Sequence, residues 1–347
     1  MKLLYTLLLI TVTSIISHAQ TEDVITGIND PTTIFKLNDL MFYGEFFNNL
    51  RVFDITSPEL GTEAISNTSG IYRSTRFGDE LYYTELNRAR ISKINLTDQQ
   101  FTPIAAAREL IRPFGITSDE EYIYVADRIT EDSTALVRFR PADPENRTVI
   151  FQTIDYIVSL CKLDNYIYYL DLTTASVYLL DISTEVVKPE LVASGFEVPT
   201  DIIGRDETLI VSDFESGRIV KIDLSSPSFE QSNILTGLDQ PTGMFLEEND
   251  LYIGIFEEGK IIKTTIQLVS NKDFTENKIS LFPNPTSNYL QVTGQQTDEF
   301  YKVINTSGSV VLKGNLEKSG IIEVHNLPIG NYFIRFQTGI KFSFVKN

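Results

Sequence analysis

The chain has no tryptophan, one cysteine and two histidines in its 347 residues. The histidines are His18 and His325, so none falls between residues 21 and 277. That absence excludes from this stretch any Ser–His or Cys–His nucleophile pair, since both need an imidazole base. A histidine-ligated zinc site is excluded there on the same ground. Cys161 has no partner for an intrachain disulfide, and in the apolar run 158–161 its expected role is that of a small buried hydrophobe. No cysteine follows Ala19 directly, so lipid attachment there is not expected. After Ile16 there is no apolar run of the ~18 residues that a membrane-spanning helix requires. Bases are scarce as well: 29 Lys and Arg stand against 47 Asp and Glu, a net charge of −18. The acidity precedes residue 278, because the remaining tail holds seven basic and four acidic side chains. Phosphate contact needs clustered Lys and Arg, so nucleic acid is not an expected partner. Cations and basic surfaces suit such a chain better.

What is present is a repeat. The stretch 209–223, LIVSDFESGRIVKID, reads as an apolar strand, a turn with an acid and a glycine, and an alternating second strand. Its apolar start recurs at Met41, Leu81, Ile123, Ile167, Leu209 and Leu251, with spacings of 40 to 44 residues. The second strand keeps the same beat at Phe53, Ile94, Phe139, Leu180, Ile222 and Thr264. A third element precedes each copy, beginning at Pro31, Ser69, Pro113, Ile157, Pro199 and Pro241. Six units of several short strands, each about forty residues long, predict a six-bladed β-propeller. Residues 23–34 match 233–244 without a gap, an offset of five repeats. The N-terminal segment is therefore expected to supply the outer strand of the last blade and to close the ring. Blade three is expected to have the longest hairpin loop, residues 127–134.

Residues 1–19 read as a signal peptide: Lys2, an apolar run to Ile16, and small residues at 17 and 19. The propeller is expected over 20–269 and a polar linker over 270–278. Residues 279–347 form a separate small Ig-like β-sandwich in this reading, because the repeat gives way to shorter alternating strands. The fold class is all-β throughout.

This last segment resembles the C-terminal sorting domain of proteins exported by the type IX secretion system of Bacteroidetes. The residues that carry the resemblance are LFPNPTSNYL at 281–290, NTSG at 305–308 and LPIGNYF at 327–333. Within them stand Pro283, Asn284, Pro285, Gly308, Gly330 and Tyr332. The resemblance implies the type IX machinery as a partner, and release or attachment at the outer cell surface. The propeller is similar, more loosely, to other six-bladed families. YYTE at 82–85 resembles the YWTD repeat of lipoprotein-receptor propellers. PFGI at 113–116 with IYVAD at 123–127 resembles NHL repeats and the gluconolactonase/regucalcin group. WD repeats do not fit a chain without tryptophan. Such short motifs specify architecture, not activity.

Candidate site residues come from departures within the repeat. Five hairpins begin with an acid, at Glu45, Glu85, Asp127, Asp171 and Asp213, while the sixth has Ile255. Each acid is expected to accept N–H bonds from the turn that follows it. The alternative is a ring of carboxylates at one channel mouth, suited to a hard cation such as calcium. Asp201 stands where other inner strands carry Gly or Ser, so it is expected to face the channel. Tyr72, Arg73 and Arg76 are departures of the same kind, and Arg73 or Arg76 would meet an acidic ligand or a neighbouring carboxylate. The hairpins and the links into the inner strands share one face, which also places Phe46, Arg88, Arg90, Arg112, Arg128, Phe214 and Phe256 there. The function expected is that of an exported module binding an extracellular ligand or protein at this face. The alternative is a metal-dependent, gluconolactonase-like hydrolase. Glu45, Asn165 and Asp201 would supply its ligand types, although the family's surrounding motifs are not visible.

Overall fold

The structure, a computed structural model, describes residues 21–98, 100–267, 280–293, 300–305, 309–317, 319–336 and 341–347. The expected signal peptide at 1–19, the expected linker at 270–278 and Gly308 lie outside the described residues. The chain divides into two compact units, one up to Leu268 and one from Val269.

The first unit is a six-bladed propeller of four-stranded antiparallel sheets. Blade 1 contains β2 (Pro31–Leu37), β3 (Leu40–Glu45), β4 (Leu50–Asp54) and β5 (Glu63–Ala64). Blade 2 contains β6 (Ile71–Phe77), β7 (Glu80–Glu85), β8 (Arg90–Asn95) and β9 (Ile104–Ala107). Blade 3 contains β10 (Pro113–Ser118), β11 (Ile123–Thr130), β12 (Ser133–Arg140) and β13 (Asp143–Thr153). Blade 4 contains β14 (Ile157–Leu163), β15 (Tyr166–Asp171), β16 (Ser176–Asp181) and β17 (Pro189–Ala193). Blade 5 contains β18 (Pro199–Arg205), β19 (Thr208–Asp213), β20 (Arg218–Asp223) and β21 (Gln231–Thr236). Blade 6 contains β22 (Pro241–Glu247), β23 (Asp250–Ile255) and β24 (Lys260–Thr265). Its outer strand is β1 (Thr21–Thr26), which pairs antiparallel with β24 from Thr21↔Thr264 to Thr26↔Lys260.

The burial pattern explains why the repeat has this form. The second strand of a blade is covered on both faces and reads as a continuous apolar run, as in β19, where every residue is buried. The outer strands alternate or lie exposed, as in β21. Six apolar clusters make the core, and each joins two neighbouring blades. Phe42, Leu50 and Val52 of blade 1, for example, pack on Ile71, Leu81 and Tyr83 of blade 2. Ile25, Tyr252 and Ile261 of blade 6 pack on Ile34, Met41 and Tyr43 of blade 1, so the wedge that closes the ring resembles the others. Gly217 and Gly259 turn the hairpins of blades 5 and 6 at φ +63° and +57°. A Cβ at either would run into the carbonyl oxygen of Leu238 or Ile28, so glycine meets a steric as well as a dihedral demand.

Two local expectations are corrected. Residues 127–134 do not form a loop: β11 and β12 continue as paired strands to Thr130↔Ser133, across a register shift between Arg128 and Thr130, with β-branched Ile129, Thr130 and Thr134 suited to a strand. The inner strand of blade 2 starts at Ile71 rather than Ser69. Ile71 pairs with Glu85 as Pro199 pairs with Asp213. Arg73 and Asp201 therefore occupy the same position, third in their strands.

The second unit is a small β-sandwich. One sheet has the order β25 (Ser280–Phe282), β26 (Tyr289–Thr293), β29 (Ile321–Glu323). The other joins β27 (Phe300–Asn305), β28 (Val310–Asn315), β30 (Gly330–Phe336) and β31 (Lys341–Lys346) in the order β28-β27-β30-β31. Leu290, Ile322, Val303, Ile334 and Phe344 lie in the core between them.

Candidate binding face

The hairpin acids are the first layer of the face. Four of the five accept backbone amides, but mainly from the link that leads into the inner strand of their own blade. Glu85 accepts from Ser69, Asp127 from Ile111 and Arg112, and Asp213 from Glu197 and Val198, all at 2.8–3.2 Å. Asp171 alone combines its link residue Tyr156 with the following turn, at Thr173 and Thr174. The expectation of turn contacts is thus corrected: the link returns from the preceding blade directly over the carboxylate. Glu45 takes the Asn29 side-chain amide at 3.3 Å instead, and pairs with Arg51 at 2.8 Å. Glu85 also pairs with Arg88 and Arg90, at 3.0 and 2.6 Å, and Asp213 with Arg218 at 3.0 Å. Burial raises the Asp127 carboxyl above its usual range, against the bonds from Ile111 and Arg112.

Beneath this layer the channel is bridged. Arg73 of blade 2 and Asp201 of blade 5 come from opposite sides of the ring, with Nε 3.0 Å from Oδ1. Both are buried, at 4% and 5% exposure. Arg73 Nη1 donates to the carbonyls of Thr32 (2.6 Å) and Tyr72 (2.7 Å), and Nη2 donates to that of Thr200. Asp201 accepts from Ser159 Oγ and from the amide of Met244, both at 2.8 Å. The two charges pair as ions and each carries further bonds, although Nε meets no acceptor in hydrogen-bond geometry. Below the bridge the channel keeps a cavity of about 290 Å³ that reaches Cys161. Burial pushes the Cys161 thiol up to about 12.

Around the mouth above the bridge runs an arc of aromatic rings. Phe214 meets Phe256 at 5.7 Å between centroids, Phe256 meets Phe46 at 6.2 Å, and Phe46 meets Tyr72 at 6.3 Å. Tyr72 then meets Phe114 at 5.2 Å, and Phe114 meets Tyr156 at 5.1 Å. Arg128 closes the arc, its guanidinium 3.8 Å from the Tyr156 ring centre. Arg73 sits 4.3 Å from the Tyr72 ring, from below. Five of the six rings keep a minor part of their surface exposed, while Phe114 is buried. Burial raises the Tyr72 phenol, and also that of Tyr156, above the usual tyrosine range.

Of the residues singled out in the sequence, Tyr72, Arg73, Asp201, Arg128 and Phe214 thus meet at or just under one mouth. Phe46 and Phe256 join them. Phe114 and Tyr156 were missed. Phe114 could have been found from its place, second in its inner strand, which it shares with Tyr72. Glu45 and Asp201 share no partner, and Asn165 lies in the β14–β15 turn at the opposite end of the blades. Among the described residues, no three His, Cys, Asp or Glu side chains are grouped so as to hold a metal ion. Arg76 is turned outward and donates to the carbonyl of Gly78 at 2.8 Å.

In the sandwich, the motif residues brace the last strand. Asn284 Nδ2 donates to the Ser343 carbonyl at 3.0 Å and its Oδ1 accepts from Val345 N at 2.9 Å. Pro283 and Pro285, on either side, both follow cis peptide bonds. Gly330 opens β30, and Tyr332 stacks on Phe344 with centroids 5.5 Å apart while donating to the Pro328 carbonyl at 2.8 Å.

Comparison with known proteins separates the two units. Residues 280–347 match the family described as "Secretion system C-terminal sorting domain". This part of the chain is a type IX secretion sorting domain, which implies export to the cell surface or beyond. No curated protein sequence matches the chain. Among solved structures, the propeller is similar to a gluconolactonase from Xanthomonas campestris, at 10% identity over 72% of this chain and 91% of that one, with a TM-score of 0.60. An auxiliary nutrient binding protein from Bacteroides thetaiotaomicron is similar at 12% identity over 68% and 69%, with a TM-score of 0.55. Virginiamycin B lyase from Staphylococcus aureus is similar at 13% identity over 72% and 99%, with a TM-score of 0.52. At such identities these likenesses show the fold alone.

Proposed function

We propose that the chain is an exported binding module. Removal of the signal peptide after Ala19 and passage through the type IX machinery deliver it, and the propeller then holds an extracellular partner at the aromatic mouth. The observation that carries this reading is the unbroken arc from Phe214 to Tyr156. Aromatic side chains offer a large contact area at little rotamer cost, and they dominate the energetics of recognition surfaces. The partly exposed rings along this mouth are apolar area left for a partner to cover. The floor favours binding over chemistry. Arg73 and Asp201 pair with each other, and four of the five hairpin acids are committed to backbone amides, while Glu45 keeps one buried oxygen without a hydrogen bond.

The test is a thermal-shift panel of sugars, polysaccharides and peptides of either charge, run on the mature chain and on Phe214→Ala/Phe256→Ala. A partner that binds the native state raises the melting temperature by mass action, about 2.7 kcal/mol of stabilisation at a hundredfold excess over Kd. The expected result is a shift that the double variant loses. A shift that survives it, and is lost in Arg138→Ala, whose guanidinium lies 4.6 Å from the Tyr122 ring at the opposite end of blade 3, would move the site away from this mouth.

A further inference from the structure

The arc is not electrically uniform. On the side formed by blades 5, 6 and 1 its rings are all phenylalanine: Phe214, Phe256 and Phe46. Phe47 extends this side, 4.0 Å from Phe46 between centroids. It is 61% exposed and holds φ +57°, a left-handed conformation that costs a bulky side chain free energy. The hairpins of blades 5 and 6 place glycine at their left-handed position, Gly217 and Gly259. Blade 1 instead presents a phenylalanine to solvent in that strained state.

The flanks of these rings are acidic. Glu215 follows Phe214 and Glu257 follows Phe256. Asp30 supplies the carbonyl that accepts the Phe46 amide, and Asp239 precedes Gln240, which does the same for Phe256. All four carboxylates are exposed. The bases nearest in sequence are already engaged: Arg218 holds Asp213 at 3.0 Å, and Lys260 holds Glu258 at 2.5 Å and Asp23 at 3.4 Å. The far side of the mouth is different, with Arg112 exposed and Arg128 stacked on Tyr156.

We propose that the phenylalanine side of the mouth binds a basic polypeptide segment. Its Arg or Lys stems lie on Phe46, Phe47, Phe214 and Phe256, and its charged heads sit among Glu215, Glu257, Asp30 and Asp239. The match is one of charge and of shape. An Arg or Lys side chain is an apolar stem with a cationic head. Aromatic faces attract the cation, and unpaired carboxylates beside them add charge-assisted hydrogen bonds. The four acids belong to three blades, and several cations along one chain can meet them in turn. This inference rests on the reading that the aromatic mouth is the binding face.

The experiment is fluorescence anisotropy on the full mature chain with a labelled dodecapeptide of alternating Arg and Ser. Matched Glu–Ser and Gly–Ser peptides serve as controls. The Arg peptide is expected to bind, and to weaken as salt rises from about 50 to about 500 mM because screening shortens the reach of exposed charges. Affinity should fall at least about tenfold in Phe214→Ala/Phe256→Ala and again in Glu215→Lys/Glu257→Lys, which alters charge without touching the packing. Circular dichroism checks that both variants remain folded. Equal binding of the Glu peptide, no binding of the Arg peptide, or indifference to Glu215→Lys/Glu257→Lys overturns the proposal. If an acidic or neutral peptide binds and Phe214→Ala/Phe256→Ala abolishes that binding, the basic partner is wrong but the face stands. If the Arg peptide binds and ignores the phenylalanine variant, both fall.

Discussion

Arg73 and Asp201 place two unlike charges 3.0 Å apart where little water reaches them. Removing a charge of this kind from water costs several kcal/mol, and the attraction of its partner offsets that cost only when the remaining donors and acceptors are also met. Here most are: Thr32, Tyr72 and Thr200 accept from the two terminal guanidinium nitrogens, and Ser159 and Met244 donate to the carboxylate, while Nε faces Asp201 outside hydrogen-bond geometry. Deleting one partner strands the other, at a cost of about 3–5 kcal/mol. Arg73→Met and Asp201→Asn should therefore each lower stability to that order in urea unfolding. The double variant should lose clearly less than the two single losses combined, because no orphaned charge is left. Strict additivity would mean that the residues act independently and that the bridge does not tie blade 2 to blade 5.

At the scale of the blade, the repeated element is an acid at the end of the second strand, latched to the link of its own blade. Asp213 shows it fully: three contacts to the amides of Glu197 and Val198, and a pair with Arg218. In Asp213→Ala, two amides lose their acceptor while Arg218 keeps Ser216 and the Gly195 carbonyl, and an unsatisfied buried donor costs roughly 1–3 kcal/mol. A fall in the denaturant midpoint with an unchanged slope is the expected signature. A fall below about 0.5 kcal/mol would show that water replaces the carboxylate at no cost. The register of these acids was legible in the sequence, because strand and turn chemistry repeat with the blade. Their partners were not, because Ser69, Ile111, Tyr156 and Glu197 are amide donors of any residue type, placed by the return of the chain from the previous blade. The aromatic mouth was legible only in part, for a related reason. Phe46, Phe214 and Phe256 share a hairpin position and stand out. Tyr72 and Phe114 come from inner strands and Tyr156 from a link, and only the curvature of the ring brings the three registers to one rim.

At the scale of the molecule, stability depends on how the ring closes. Each apolar wedge lies between two blades, so a propeller cut open loses one whole wedge together with a strand ladder. The ungapped match of 23–34 to 233–244 has its counterpart in β1, which lies on β24 as β21 lies on β20. Through Ile25 and Ile28 the N-terminal segment also enters the wedge between blades 6 and 1. Burying an isoleucine contributes about 1.5–3 kcal/mol, so the two together contribute as much as a large share of the 5–15 kcal/mol that holds a typical domain folded. Deleting residues 21–28 from the mature chain should therefore lower the unfolding midpoint by more than Arg73→Met does. It also uncovers the edge of β24, a template for pairing with another chain, so sedimentation should show association that grows with concentration. A synthetic peptide of residues 21–30 added in excess should reverse both effects, since it restores the ladder and both isoleucines by mass action. A deletion that leaves the midpoint and the sedimentation unchanged would mean that the inner-strand contacts between blades 6 and 1 hold the ring closed without it.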